Sequence, residues 1–192
     1  MIGGALKRSK IAVPDRPGLR PTPDRVRETL FNWLTPVIAG ARVLDLCAGT
    51  GVLGIEAISR GARYAWLNEP DGDLAQQIQR NAERLRIASQ VQVSRMTADR
   101  LLATAADAPF DIVFIDPPYD ALLWARILER LPGWLAHGAQ VYLEHPIEIE
   151  SPVTPDWRIL KSASAGRIRF HLLEHAAASV SLSDPVKAES AP

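Results

Sequence analysis

Cysteine and long apolar segments are nearly absent from this sequence. The single cysteine, Cys47, excludes an internal disulfide framework and a metal site built from several cysteines. No apolar run approaches the roughly 20 residues that a membrane helix requires, and the N-terminus has no apolar signal core. The histidines are too scattered for metal spacing, so we expect surface or edge-strand positions for His137, His145, His171 and His175. These absences favour a cytoplasmic protein with no membrane partner and no metal.

The formal net charge of the whole chain is zero, yet the charges are unevenly distributed. Residues 1–30 contain seven basic and three acidic side chains, a net charge of +4, so the other 162 residues carry −4. Such asymmetry indicates a basic arm that meets phosphates, attached to a neutral-to-acidic body. A solvated terminus that happens to be basic would produce the same pattern.

The chain is long enough for one α/β domain and divides into three parts. Residues 1–40 form a basic, proline-punctuated extension, expected to contain a hairpin and a helix. Residues 41–175 form the main domain, and residues 176–192 lack aromatics and periodicity, so we expect them to be disordered. Thr22-Pro23-Asp24 predicts the start of the helix in the extension, with a hydroxyl cap and proline at the first helical position.

The main domain shows short strands that alternate with amphipathic helices. The predicted strands are 42–46, 64–67, 91–93, 110–115, 141–143, 157–160 and 167–173. Strands separated by crossover helices form a parallel sheet covered on both faces. The last two strands, around Ala165-Gly166, predict a terminal hairpin that adds an antiparallel edge.

A glycine-rich loop, Gly49-Thr50-Gly51 continuing to Gly54, follows the first strand and opens a helix. Glu69 lies twenty residues after Gly49, where an acid that binds ribose hydroxyls is expected. This pattern suits a nicotinamide dinucleotide and S-adenosylmethionine equally. Asp45, at the end of the strand, would repel a pyrophosphate and attract an ammonium and a sulfonium, which favours S-adenosylmethionine. The alternative interpretation is that Asp45 merely caps the next helix.

Other residues are expected around the same pocket. They are Cys47 and Ala48 as small lining residues, Thr50, Pro70, and Thr97-Ala98. We expect Thr97-Ala98 to close the third strand, where adenine would lie, with Asp99 as a cap for a helix that begins near Arg100.

The motif Asp116-Pro117-Pro118-Tyr119 ends the fourth strand, beside the first strand at the switch point of the sheet. An exocyclic amino group is planar, and it needs hydrogen-bond acceptors for its two N–H bonds before its lone pair can attack a methyl group. The Asp116 carboxylate and a carbonyl of the Pro-Pro pair can supply both. Tyr119 can stack on a base, worth roughly 1–3 kcal/mol. A rigid strand-end turn is the structural alternative.

With these motifs the sequence resembles the bacterial 16S ribosomal RNA guanine-N2 methyltransferases, the RsmD family, over roughly residues 1–175. The matching segments are Ile2-Gly3-Gly4, residues 17–22, residues 24–34, residues 45–54, Glu69, Asp71 and residues 116–119. Leu6 departs from the family pattern, where an aromatic residue is usual, and so does Asn68, where an aliphatic residue is common.

The resemblance implies a Rossmann-like class I S-adenosylmethionine methyltransferase that modifies N2 of a guanine in 16S rRNA, within the small ribosomal subunit or its assembly intermediate. It implies a monomer in which Arg20 and Thr22 border the active site. The residues expected to hold phosphates are Lys7, Arg8, Lys10, Arg25 and Arg27. Two alternatives stay open, an adenine-N6 DNA or RNA methyltransferase and a nucleotide-binding Rossmann protein without methyl transfer. So do minor roles for Trp124 beside the substrate and for Glu144-His145-Pro146 near the crevice.

Overall fold

A computed structural model of the chain describes residues 1–12, 23–118 and 121–176. The helices in these residues are α1 (Asp24–Leu34), α2 (Val52–Ser59), α3 (Gly72–Arg84), α4 (Ala98–Leu102) and α5 (Ala121–Arg130). The strands are β1 (Arg42–Asp45), β2 (Tyr64–Asn68), β3 (Val91–Ser94), β4 (Phe110–Ile115), β5 (Leu135–Pro146), β6 (Trp157–Ala165) and β7 (Ile168–His175).

The strands form one seven-stranded sheet in the order β3-β2-β1-β4-β5-β7-β6. Strands β1 to β5 run parallel, whereas β7 pairs antiparallel with both β5 and β6. The predicted fold class, a mostly parallel Rossmann-like sheet with an antiparallel terminal hairpin, is therefore confirmed. The strand order reverses between β1 and β4, and the crevice at their carboxyl ends is where ligands bind in such sheets.

Each face of the sheet is covered by its own set of helices. Helices α1, α2 and α3 pack on one face, where the ring of Phe31 meets the edge of Phe114 at a centroid distance of 5.9 Å. Helices α4 and α5 pack on the other face around Trp124 and Trp134. Helix α1 therefore belongs to the core through its apolar stripe, and only its exposed side is available for a partner.

The first twelve residues are tied to α2 and α3 by polar contacts. The backbone N–H groups of Ile2 and Gly3 donate to the carboxylate of the buried Glu56, at 2.9 and 2.8 Å. Ala12 exchanges two hydrogen bonds with the amide of Asn81, both at 3.1 Å. This segment forms turns and contains no strand. Residues 1–12 of the basic extension are therefore held against the main domain by the buried side chains of Glu56 and Asn81.

The start of helix α1 differs from prediction. Helix α1 begins at Asp24, and Pro23 precedes it with an extended ψ of 146°, so the proline is not the first helical residue. The predicted cap, Thr22, lies outside the described residues, as does nearly all of the predicted disordered tail.

Thr97-Ala98 does not close the third strand, because β3 ends at Ser94. Thr97 instead caps α4 by accepting a hydrogen bond from the N–H of Arg100, the role expected of Asp99. The cause is the buried Asn68, whose amide bonds to Ser94 and to both backbone groups of Met96 and so turns the chain out of the sheet.

The expectation of surface or edge positions is wrong for two of the histidines. His145 on β5 and His171 on β7 are buried, because these strands lie inside the sheet. Their rings stack at 5.4 Å with Nε2 atoms 3.2 Å apart. In the part of the chain that the structure describes, no helix has both the length and the apolar character needed to cross a bilayer.

Candidate active site

Carboxylates gather at the carboxyl ends of β1, β2, β4 and β5. Asp45 is the last residue of β1, Glu69 and Asp116 directly follow β2 and β4, and Glu144 lies near the end of β5. Asp45, Glu69 and Glu144 are buried, and Asp116 is partly exposed. Three of these acids were predicted site residues, whereas Glu144 was considered only for a minor role beside His145. Adjacent parallel strands end at one edge of a sheet, so the topology brings them together.

The glycine loop has the close-approach geometry that its sequence predicts. Gly49 and Gly51 have φ angles of 53° and 77°, which side chains rarely adopt. A Cβ on Gly51 would lie 2.9 Å from Ile78, whereas a Cβ on Gly49 would meet nothing within 4 Å. The backbone of Gly49 therefore borders open space, and the neighbouring Ala48 and Thr50 are buried beneath it.

Glu69 joins this loop to the end of β2. One carboxylate oxygen accepts from the N–H of Gly49 at 2.8 Å, and the other accepts from the N–H of Asp71 at 2.9 Å. Burial raises the pKa of Glu69 above its ordinary value, and the two backbone hydrogen bonds oppose that rise. Each oxygen keeps a second lone pair for a ligand hydroxyl. Pro70, the next residue, is exposed.

Asp45 combines the two interpretations offered by the sequence. Its Oδ2 accepts from the N–H of Gly54 at 3.0 Å, in the first turn of α2, so it does cap this helix. No described residue donates to Oδ1, which remains available to a cation in the crevice. Burial raises the pKa of Asp45 to about 7, with a smaller contribution from the charge of Glu69.

Cys47 lies among these acids. Burial, followed by the charges of Asp45, Asp116 and Glu69, raises the pKa of its thiol far above the ordinary value. A thiol in such surroundings stays protonated and is a poor nucleophile, which agrees with the predicted lining role. Because the charges of Asp45 and Asp116 both act on this one thiol, the two carboxylates lie in the same small region.

The Asp116-Pro117-Pro118 segment leaves β4 at the centre of this region. Pro117 is buried and Pro118 is exposed, whereas Tyr119 lies outside the described residues. Burial raises the pKa of Asp116 well above its ordinary value, and the negative charges of Glu144 and Asp45 raise it further. A carboxylate with a raised pKa is a stronger hydrogen-bond acceptor and a better base.

Glu144 is held by two aromatic side chains. The hydroxyl of the buried Tyr142 donates to Oε2 of Glu144 at 2.6 Å. The indole N–H of Trp124 donates to the backbone carbonyl of Glu144 at 2.9 Å. Trp124 itself is 1% exposed and packed in the core, so the expectation that it flanks the substrate is wrong. Sequence patterns indicated only a minor role for Glu144, because a glutamate near the end of a buried strand belongs to no motif.

The predicted phosphate-binding residues lie in two places. Lys7, Arg8 and Lys10 are exposed in the segment that docks on the C-terminal ends of α2 and α3, away from the glycine loop. Arg25 is exposed on α1, whereas the side chain of Arg27 is only 11% exposed and pairs with Asp24. Arg20 and Thr22 lie outside the described residues.

The donors and acceptors of the site suit S-adenosylmethionine. Glu69 offers acceptors for ribose hydroxyls, and Oδ1 of Asp45 offers one for an ammonium group. The open space before Gly49 leaves room for the ligand to approach the backbone. Four carboxylates around the crevice would repel a pyrophosphate, so a dinucleotide fits the same loop poorly.

Comparisons with known proteins give consistent matches over nearly the whole chain. The family model described as Conserved hypothetical protein 95 matches residues 1–174. Ribosomal RNA small subunit methyltransferase D of Escherichia coli strain K12 is 43% identical over 180 residues, which are 92% of this chain and 90% of that protein. The Haemophilus influenzae protein of the same name is 37% identical and covers 91% of this chain and 93% of its own length. A solved structure of a putative methyltransferase from Escherichia coli is 39% identical, with a TM-score of 0.83 over 92% of this chain and 97% of that one.

Proposed function

Because the chain belongs to the RsmD family, whose model is described as Conserved hypothetical protein 95, we propose that it methylates the exocyclic N2 of a guanine in small-subunit ribosomal RNA. The target lies in the 16S rRNA of the small ribosomal subunit or its assembly intermediate, in the cytoplasm. The observation that carries the proposal is the convergence of Asp116-Pro117-Pro118 with Asp45, Glu69 and the Gly49–Gly51 loop at one end of the sheet.

Family membership confirms the predicted class of enzyme, a methyltransferase, and its cofactor, S-adenosylmethionine. It also removes the alternative of a nucleotide-binding Rossmann protein without methyl transfer. The residues proposed to line the cofactor pocket are Asp45, Cys47, Ala48, Gly49, Thr50, Gly51, Glu69, Pro70, Thr97 and Ala98. When bound, S-adenosylmethionine supplies a methyl group on a positively charged sulfur, which an amino nitrogen can attack directly.

Asp116 and the proline pair hold the amino group for that attack. The Asp116 carboxylate accepts one N–H of the target amine, and a carbonyl of Pro117 or Pro118 accepts the other. Both acceptors favour the pyramidal nitrogen whose lone pair points at the methyl carbon. Asp116 then takes up the proton that the nitrogen loses, which its raised pKa favours. Alignment of this kind can contribute about 7–11 kcal/mol to the lowering of the barrier.

The RNA is held by the basic extension and helix α1 in this proposal. Lys7, Arg8, Lys10 and Arg25 are exposed and can neutralise phosphates, while Arg27 is partly engaged by Asp24. We further propose that Arg20 and Thr22 border the opening of the active site and that Tyr119 stacks on the target base. Residues 1–40 would then serve RNA contact, and residues 41–175 catalysis.

One incubation tests the proposed function. The protein is mixed with labelled S-adenosylmethionine and small-subunit particles that lack the modification, and the methylated nucleoside is identified by mass spectrometry. We expect N2-methylguanosine at a single position of the 16S rRNA. Formation of N6-methyladenosine would replace the proposal with the adenine alternative. Transfer of no label to the RNA would overturn the proposed function.

A further inference from the structure

We propose that Glu144 determines the choice of base: its carboxylate accepts the N1–H of the target guanine while Asp116 holds the neighbouring N2 amino group. This inference rests on the proposed function and names the residue that selects guanine over adenine at the same site.

The register of β4 and β5 puts the two acids side by side. Phe114 pairs with Tyr142, and Ile115 pairs with Leu143, in adjacent parallel strands. Asp116 lies two residues after Phe114, and Glu144 lies two residues after Tyr142. Because side chains alternate between the two faces of a sheet, both acids point to the face that carries Phe114 and Tyr142. Neighbouring strands lie about 4.8 Å apart, which suits two acceptors for adjacent donors on one base edge.

Glu144 is fixed in orientation, and one of its oxygens remains available. Tyr142 donates to Oε2, and Trp124 holds the backbone carbonyl of the same residue. No residue in the described ranges donates to Oε1, and no lysine or arginine there forms an ion pair with Glu144 or Asp116. Two neighbouring carboxylates, one buried and one partly exposed, are costly to hold together without a cation unless donors from a ligand satisfy them. Because Glu144 lies beside Asp116, which accepts from the target amine, the same edge of the base can donate to Glu144.

The Watson–Crick edge of guanine offers the required pattern. Guanine donates from N1–H and from the adjacent N2 amino group, so two carboxylates satisfy both. Adenine also has an amino group, but its ring N1 is an acceptor whose lone pair would face the Glu144 carboxylate. Sites that hydrogen-bond a substrate group discriminate strongly against an analogue that lacks it, because a buried polar group is then left unpaired. Glu144 therefore excludes adenine by repulsion as well as selecting guanine.

The substitution Glu144→Gln tests this preference, because it replaces a hydrogen-bond acceptor with a donor. Tyr142 would keep donating to the side-chain oxygen of the glutamine, which turns the amide NH₂ toward the substrate. The test base is 2-aminopurine, which keeps the N2 amino group but has an acceptor at N1. Small-subunit RNA with guanine or 2-aminopurine at the mapped position is reconstituted into particles, and kcat/KM is measured for both substrates.

We expect wild-type protein to prefer guanine, and the guanine-to-2-aminopurine ratio to fall at least about thirtyfold in Glu144→Gln. The matched control is Glu148→Gln, at an exposed glutamate paired with Arg167, which should keep the wild-type ratio. Tyr142→Phe removes the hydroxyl that orients Glu144 and should reduce the ratio less, without favouring 2-aminopurine.

The outcomes separate this inference from the proposed function. Wild-type protein that methylates guanine and 2-aminopurine equally well, or a Glu144→Gln variant with the wild-type ratio, overturns the role of Glu144 and leaves the proposed function standing. Wild-type protein that methylates no guanine at all overturns the proposed function itself. If Glu144→Gln does not fold, the role of Glu144 is still tested by the guanine-to-2-aminopurine ratio of the wild-type protein and by the change of that ratio in Tyr142→Phe.

Discussion

Asp45 accepts a hydrogen bond from α2 and also lies where burial disfavours its ionised form. The hydrogen bond from Gly54 to Oδ2 is strongest when Asp45 is ionised, yet burial raises the pKa of Asp45 to about 7. Near neutral pH the group is therefore divided between its protonated and ionised forms. A cationic ligand at Oδ1 would favour the ionised form, so we expect binding of S-adenosylmethionine to release a proton from Asp45.

Calorimetry in buffers of different ionisation enthalpy measures that proton. At pH 6, Asp45 is mostly protonated before binding, so about one proton should be released per S-adenosylmethionine bound. At pH 8 the carboxylate is already ionised and its contribution should vanish. Asp45→Asn should release none at either pH and should weaken binding at least about tenfold at pH 8. Equal proton release by the variant at pH 6 would remove Asp45 from cofactor binding.

The stacked histidines make stability depend on pH. Burial lowers the pKa of His171 to about 4, with smaller contributions from His145 and Arg169, and burial also lowers the pKa of His145. Both folded-state values lie below the unfolded value, so the unfolded chain binds more protons below about pH 6.5. Their contribution to stability is full above that pH and is lost as the pH falls toward 4.

We therefore expect the double variant His145→Phe/His171→Phe to lose less stability than wild type between pH 7.5 and pH 5. The difference between the two proteins should change by about 2 kcal/mol over that range, measured by denaturant unfolding. The buried carboxylates titrate in both proteins and cancel in the comparison. Parallel pH profiles would mean that the imidazoles are not held neutral.

At the scale of single residues, sequence patterns predicted Asp45, Glu69 and Asp116 because each ends or follows a recognisable strand. They indicated only a minor role for Glu144 and placed His145 and His171 at the surface or an edge strand, since the contacts of these residues depend on the pairing of β5 with β7. Register between distant strands is a tertiary property that a local pattern does not contain. Asn68, which stands where an aliphatic residue is common in the family, is similar. Its side chain joins Leu46, just after β1, to Ser94 and Met96 at the end of β3, and these contacts also depend on tertiary structure.

At the scale of elements, residues 1–12 are a docked segment. Glu56 and Asn81 hold its backbone from below, while Lys7, Arg8 and Lys10 point to solvent. Deleting the segment would remove the backbone hydrogen bonds of these buried side chains, leaving only Arg60 on Glu56 and Arg84 on Asn81 among the described residues, and would destabilise the fold. Charge substitutions are therefore the cleaner test of phosphate contact.

The double variant Lys7→Gln/Lys10→Gln should weaken binding to small-subunit RNA and flatten its salt dependence. Loss of two phosphate contacts reduces the slope of log K against log salt by about 1.4–1.8, because fewer counterions are released. Fluorescence anisotropy at several salt concentrations measures the slope. Lys161→Gln, at an exposed lysine on β6, is the matched control. An unchanged slope in the double variant would show that Lys7 and Lys10 do not contact the RNA.

Periodicity predicted most elements within a few residues but failed where local chemistry overrides it. The fifth strand was predicted as 141–143, whereas β5 spans Leu135–Pro146 and has an irregular register with β4 between Phe110 and Ile112. Residues 135–140 are half-exposed and include Gly138, so their composition does not indicate a strand.

At the scale of the whole molecule, topology and charge act together. The sheet order puts the four carboxylates at the switch point, and the docked extension carries the exposed cations. The alternation of strands and helices predicted a parallel sheet with the fourth strand beside the first, because few arrangements of right-handed crossovers exist. It did not predict that β7 lies between β5 and β6. In our proposal the acidic site attracts a cationic methyl donor and the basic extension attracts the anionic RNA, so a net charge of zero would combine two regions of opposite charge.

The central claim concerns Asp116, and one measurement addresses it directly: single-turnover methyl transfer by Asp116→Ala, with the affinity for S-adenosylmethionine measured on the same preparation. We expect transfer to slow at least about a thousandfold while the Kd for the cofactor changes less than about threefold, because the carboxylate acts on the amine. Asp107→Ala, at an acid whose side chain is 65% exposed, should behave as wild type. Transfer by Asp116→Ala within tenfold of wild type would contradict the account.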